Sequence, residues 1–157
     1  MDRTCMEEKY RQYSNTVFRT AYACVKHLAE AEDITSEVFL KYFTCNQRFD
    51  SQEHEKAWLI RVTVNRCRDL FRSSRFKKYA DMEEYEPFCE MDEEHEVMEA
   101  VMSLPKKYRT AVHLYYYEGY STEEIAKITN STATAVRKQL SRAREMLKNK
   151  LREEQEL

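Results

Sequence analysis

The sequence predicts an all-α protein of two small helical domains joined by an acidic linker. One Gly and two Pro in 157 residues, with abundant Leu, Glu, Lys and Arg, argue for helices and short connections. Apolar residues recur at steps of three and four along most of the chain, the period of an amphipathic helix. Charge is also segregated behind a net value of −2. Residues 75–100 carry 3 basic and 10 acidic groups, whereas residues 101–157 carry 11 and 7. Separate units with different work are the natural reading.

The first domain, residues 1–75, is expected to hold helices at about 6–28, 30–46 and 54–74. Tyr10, Tyr13, Val17, Ala21, Val25 and Leu28 form the apolar stripe of the first. The second opens on acids (Glu30, Glu32, Asp33, Glu37), with Ile34, Val38 and Tyr42 spaced by four. In the third, Leu59, Val62 and Leu70 share a face with Trp58 beside them. Its opposite side presents Arg61, Asn65, Arg68 and Arg72. A polar stripe containing three arginines favours nucleic-acid contact, since helix surfaces more often intermix both signs.

Residues 76–93, FKKYADMEEYEPFCEMDE, lack sustained periodicity and contain Pro87, so a flexible linker is expected there. The second domain, residues 94–157, opens with a helix to Met102. Pro105 suits the first turn of another, which turns Tyr108, Ala111, Val112 and Tyr115 inward and ends at Gly119.

The segment from Ser121 to Leu151 then reads as two helices around a polar turn. Glu123 and Glu124 suit the first helix's positive end, and Ile125, Ala126 and Ile128 form its apolar patch. Ser131 is the expected N-cap of the second helix. Val136, Leu140, Ala143, Leu147 and Leu151 give that helix one buried stripe, with Thr134, Lys138, Ser141 and Arg142 pointing away and Arg137 at the flank. From residue 132 to 152 there are seven basic residues and one acid, Glu145. This is the layout of a helix-turn-helix whose second helix enters a major groove.

Other classes find little support. Cysteines 5, 24, 45, 67 and 89 are odd in number and at least nineteen positions apart, so no metal knuckle or redox pair is expected. No His or Cys pairing suggests catalysis, no Gly-rich phosphate cradle is present, and neither cofactor nor metal is expected. No apolar run reaches membrane-spanning length, and MDRTCMEEKYRQY lacks a signal-peptide core, so a cytoplasmic protein without membrane insertion is expected.

The string LPKKYRTAVHLYYYEGYSTEEIAKITNSTATAVRKQLSRAREML closely resembles region 4 of sigma-70-type RNA polymerase subunits. Upstream, AEDITSEVFLKYF and AWLIRVTVNRCRDLFR resemble region 2. Two such domains in this order are similar to the extracytoplasmic-function (ECF) class. The resemblance implies a dissociable, non-enzymatic subunit that directs core RNA polymerase to promoter DNA. Region 2 is implied to bind the largest polymerase subunit through Asp33, Glu37 and Phe39. Ser36 stands where many members carry Gln.

The loop from Phe49 to Ala57 matches the element that holds a base flipped from the −10 strand. Phe49 would supply an apolar wall, Lys56 and Asn65 the donors, and Arg61, Arg68 and Arg72 would hold the backbone. Glu53 and Glu55 place negative charge beside that phosphate chain. Region 4 is implied to read the −35 duplex with Thr134, Arg137, Lys138, Ser141 and Arg142. Control by an anti-sigma factor is implied as well. The alternative is a stand-alone helix-turn-helix regulator, which would not need the Asp33–Phe39 helix.

Overall fold

The computed structural model describes residues 1–73 and 93–155; the expected linker, except Glu93, lies outside the described residues. The chain divides into two compact units, with the boundary inside that interval. All the regular structure among the described residues is helical.

The N-terminal unit packs α1 (Arg3–Val25), α2 (Leu28–Thr44) and α3 (Gln52–Arg72) pairwise against one another. Each begins two or three residues earlier than periodicity alone suggests, because a cap fixes its start. Asp2 accepts from the Cys5 amide at 2.8 Å. His27 Nδ1 accepts from the Glu30 amide at 3.2 Å, and Ser51 Oγ from the His54 amide at 3.1 Å. Lys26, left-handed at φ 55°, makes the sharp corner between α1 and α2.

Val17, Ala21, Ile34, Val38, Leu59 and Ile60 are essentially solvent-free and form the centre of this core. Each large aliphatic side chain among them contributes roughly 1.5–3 kcal/mol over its exposed state. Tyr10, expected in the α1 stripe, stays half exposed with its ring 4.9 Å from that of Phe39.

The C-terminal unit holds α4 (Glu93–Met102), α5 (Lys106–Val112), α6 (Thr122–Thr129) and α7 (Ala133–Gln155). A π-helical turn, His113–Tyr117, continues α5. It corrects one expectation. Tyr115 is 37% exposed, and Leu114 with His113 takes the inward positions. A π turn accommodates an extra residue and so shifts the phase of the apolar stripe, turning Tyr115, Tyr116 and Tyr117 outward. Gly119 ends the run at φ +76°, a conformation that strains any residue bearing a Cβ.

Candidate nucleic-acid interfaces

In the C-terminal unit, α6 starts on a reciprocal capping box. Ser121 Oγ accepts from the Glu124 amide at 3.2 Å, and Glu124 accepts from the Ser121 amide at 3.1 Å. Asn130 takes the left-handed conformation at φ 54°, and its amide and that of Ser131 both bond to the Ala126 carbonyl. This makes the tight turn without glycine. Ser131 is not the cap of α7. Its hydroxyl lies 2.8 Å from that of Thr129, while Thr132 Oγ1 accepts from the Ala135 amide at 3.1 Å.

Val136, Leu140 and Ala143 are buried, and Leu147 and Leu151 are partly so. Thr134, Arg137, Lys138, Ser141 and Arg142 are all exposed, as the helical wheel requires. Arg137 does not wave in solvent. Its Nη2 reaches Thr134 Oγ1 at 3.3 Å, and its Nη1 lies 3.6 Å from Glu123 on α6.

The neighbouring helix supplies further contacts absent from the sequence reading. Arg144 donates to the Tyr116 hydroxyl at 3.1 Å. A hydrogen bond from Arg142 lowers the Tyr108 pKa, and Lys107 lies 5.1 Å from that ring. Tyr108 is thus partly exposed beside the basic face rather than inward. Ala143, fully buried, sits between the two arginines.

In the N-terminal unit, the expected −10 residues are only partly brought together. The element from Phe49 to Ala57 is mostly helix, because α3 begins at Gln52. Phe49 packs on Trp58 (5.6 Å), Tyr42 (6.1 Å) and His54 (5.4 Å). Asn65 lies seven residues after Trp58, hence about two turns along the same side of α3. Lys56 precedes Asn65 by nine residues and falls half a turn out of phase. Phe49, Trp58 and Asn65 therefore share a side that Lys56 does not. Arg61 and Arg72 are exposed and Arg68 partly so, along one stripe with Asn65.

Glu55 departs furthest from expectation. Instead of facing a phosphate chain it is 7% exposed. Its carboxylate accepts from Lys9 Nζ at 2.9 Å and from the Tyr42 hydroxyl at 2.7 Å. Burial works to raise its pKa, but the hydrogen bonds from Tyr42 and Lys9, with the Tyr13 hydroxyl nearby, outweigh that and hold it below the ordinary range. Of the two glutamates, Glu53 alone stays exposed there, beside the exposed Asp50.

On α2, Asp33 and Glu37 are exposed, but Phe39 is a core residue at 3% exposure. Glu37 is bridged by Arg66 of α3. The outward apolar side chain is Leu40, 67% exposed, one position beyond Phe39 and on the Asp33, Ser36 and Glu37 face by helical spacing. Glu37, Lys41, Asn65, Arg66 and Asp69 line a shallow groove of about 110 Å³ between α2 and α3.

Comparison with known proteins gives these surfaces their class. The model for sigma-70 region 2 matches residues 10–77, and that for sigma-70 region 4 matches residues 94–147. The chain belongs to the sigma-70 family of RNA polymerase sigma factors, which are non-enzymatic transcription initiation factors. Within that family its relatives include ECF sigma factors.

The chain is 25% identical over 160 residues to the ECF sigma factor SigW of Bacillus subtilis, covering 90% of this chain and 86% of that protein. It is 34% identical over 155 residues to the probable sigma factor RfaY of Xanthomonas campestris, covering 87% of this chain but 38% of RfaY. Among solved structures, the sigma factor RpoE of Bartonella quintana, in complex with the anti-sigma factor NepR, superposes with a TM-score of 0.74. Identity is 21%, with 93% of this chain and 96% of that one covered. CnrH, in complex with the cytosolic domain of CnrY, gives 0.65 at 20% identity, covering 96% and 89%. At these identities the superpositions speak to fold. No described helix is long and apolar enough to cross a membrane.

Proposed function

We propose that this sigma factor joins core RNA polymerase in the cytoplasm and reads a promoter with two separate faces. The observation that carries this reading is the single exposed face of α7 holding Thr134, Arg137, Lys138, Ser141 and Arg142, opposite a buried Val136–Leu140–Ala143 seam. Early residues of a recognition helix meet base edges and later ones meet phosphates. Arg137 and Thr134 are therefore assigned to −35 bases, and Lys138, Ser141 and Arg142 to the groove wall and backbone. Arg144 extends the phosphate-binding side.

Region 2 is assigned the unpaired −10 strand. Phe49 and Trp58 offer π-faces for a displaced base, Asn65 offers hydrogen bonds to an edge, and Arg61, Arg68 and Arg72 neutralise the backbone. Lys56 is left to a phosphate on the other side of α3. The core polymerase surface is α2, through Asp33, Glu37 and Leu40, with Phe39 holding that helix in place from within. Carboxylates there set encounter rate and register more than affinity.

An anti-sigma factor masking the same surfaces is the proposed control, supported by the NepR and CnrY complexes of the structural neighbours. In vitro transcription with purified core enzyme and a library of genomic promoter fragments tests the reading. Initiation at start sites sharing −10 and −35 sequences is expected; no sigma-dependent start site would refute it. Co-purification with core enzyme separates this reading from a free DNA-binding regulator.

A further inference from the structure

We propose that Glu55 is a positioning residue for the −10 element: its carboxylate fixes the Tyr42 hydroxyl, and the Tyr42 ring with Trp58 seats Phe49. The inference rests on the assignment of region 2 to the −10 strand. Glu55 occupies the first turn of α3, where an acid can suit the helix dipole while remaining in water. Here it is turned inward, and it ties three helices through Lys9 of α1 and Tyr42 of α2. Tyr13 of α1 lies near enough to favour the ionised carboxylate as well.

An apolar side chain of similar volume would fill such a site with no desolvation cost, so a buried carboxylate is a poor choice for stability alone. Direction is what it adds. An ionised carboxylate bonded at 2.7 Å sets where the Tyr42 hydroxyl sits and, because a phenol O–H prefers the plane of its ring, favours one ring orientation. That ring lies 6.1 Å from Phe49 at an interplanar angle of 27°, and 6.0 Å from Trp58.

The other end of the element is fixed as well. The Asp50 amide donates to His54 Nδ1 at 3.2 Å, and Ser51 caps α3. Phe49 is therefore held between a hydrogen-bonded turn behind it and an oriented aromatic pair beneath it. A side chain that receives a flipped base must be held to within a fraction of an ångström by such supports.

The test uses the full chain, with Glu55→Gln and with Tyr42→Phe, which removes one hydroxyl and keeps the ring. Trp58 is the only tryptophan, so its emission in the free chain reports directly on the packing around Phe49. Binding is read on holoenzyme, using the single-stranded DNA that wild-type holoenzyme selects from a random-sequence pool. Phe49→Ala, expected to lose that strand, is the control.

Both variants are expected to bind the selected strand about tenfold more weakly, the scale of one lost charge-assisted hydrogen bond. Acrylamide quenching of Trp58 should rise, while affinity for core polymerase stays at the wild-type value. A purely structural role would lower core and strand binding together, and that result overturns the proposal. So does a Tyr42→Phe chain with wild-type strand affinity and wild-type quenching. If the wild-type holoenzyme selects no strand, the region 2 assignment fails first and the proposal falls with it.

Discussion

The Arg137 guanidinium rests 3.6 Å from the Glu123 carboxylate, so the foremost basic residue of α7 is already engaged by the helix before it. Glu123 stays ionised because hydrogen bonds from its own backbone amide and from Thr122 lower its pKa. On the proposed −35 assignment, Arg137 exchanges partners when DNA arrives, and Glu123 then faces phosphates. Glu123→Gln is expected to tighten binding to a −35 duplex severalfold at low salt. The gain should shrink as salt rises and screens exposed charge. Fluorescence anisotropy across a salt series checks both parts.

Contact type should separate the basic residues of α7. Arg137→Ala is expected to lose about 1–3 kcal/mol against the preferred −35 sequence and to relax discrimination at one base position. Arg142→Ala should do the same only if it reaches a base. If its partner is a phosphate, binding weakens evenly across sequences and the salt dependence becomes shallower. Tyr116→Phe, which removes the acceptor for Arg144, should behave in that second way. Affinities on a panel of single-base −35 variants distinguish these outcomes.

Leu40 offers a test of the polymerase surface that leaves the fold alone. Its side chain is mostly in solvent, so Leu40→Ser should leave the thermal midpoint within experimental scatter. Affinity for core polymerase should fall severalfold. Phe39→Ser at the adjacent position should instead unfold the N-terminal unit, because it places a hydroxyl in the core. Circular dichroism melts beside a core-binding titration check the pair.

The buried ionisable groups set opposite pH limits. Glu55 titrates below its ordinary range when folded, so the native state binds fewer protons there than the unfolded chain. The stability Glu55 contributes is present at neutral pH and is lost as pH falls through its folded pKa. Burial, then the Glu55 hydrogen bond, pushes the Tyr42 hydroxyl up strongly. In the C-terminal unit, burial with Glu118 and Glu124 nearby pushes Tyr120 up to about 12. Each keeps its proton after an unfolded tyrosine has lost one near pH 10, so stability falls as pH rises beyond about 10. Urea unfolding at pH 7 and pH 11 should show a smaller alkaline loss for Tyr120→Phe than for wild type.

The helix-turn-helix was legible because each of its parts has a local signature. Glu123 and Glu124 mark the start of its first helix, and Val136, Leu140 and Ala143 spell the seam, although the cap of α7 is Thr132 rather than Ser131. Region 2 helices were equally visible in Ile34, Val38 and Tyr42, all of which are buried. What periodicity hid was phase. It could not show that five residues from His113 form a π turn, which displaced Tyr115.

Phe39 was named for the polymerase surface by resemblance, whereas helical spacing sets it near Val38 and Tyr42 and leaves Leu40 on the exposed side. Glu55 was misread for a third reason. A glutamate in a helix's first turn has a good solvent role, and its donors, Lys9 and Tyr42, lie 46 and 13 positions away.

Ala143 carries a consequence for how this reader of DNA can change over time. Being methyl-sized and solvent-free, it sets the distance at which the tyrosine-bearing helix rides over α7, with Arg142 and Arg144 reaching out on either flank. Exchanging it for leucine would lift that helix like a shim under a hinge and unseat both arginines together. On the assignment proposed above, the grip of this unit on a duplex is therefore adjustable from beneath, through a residue with no exposed surface.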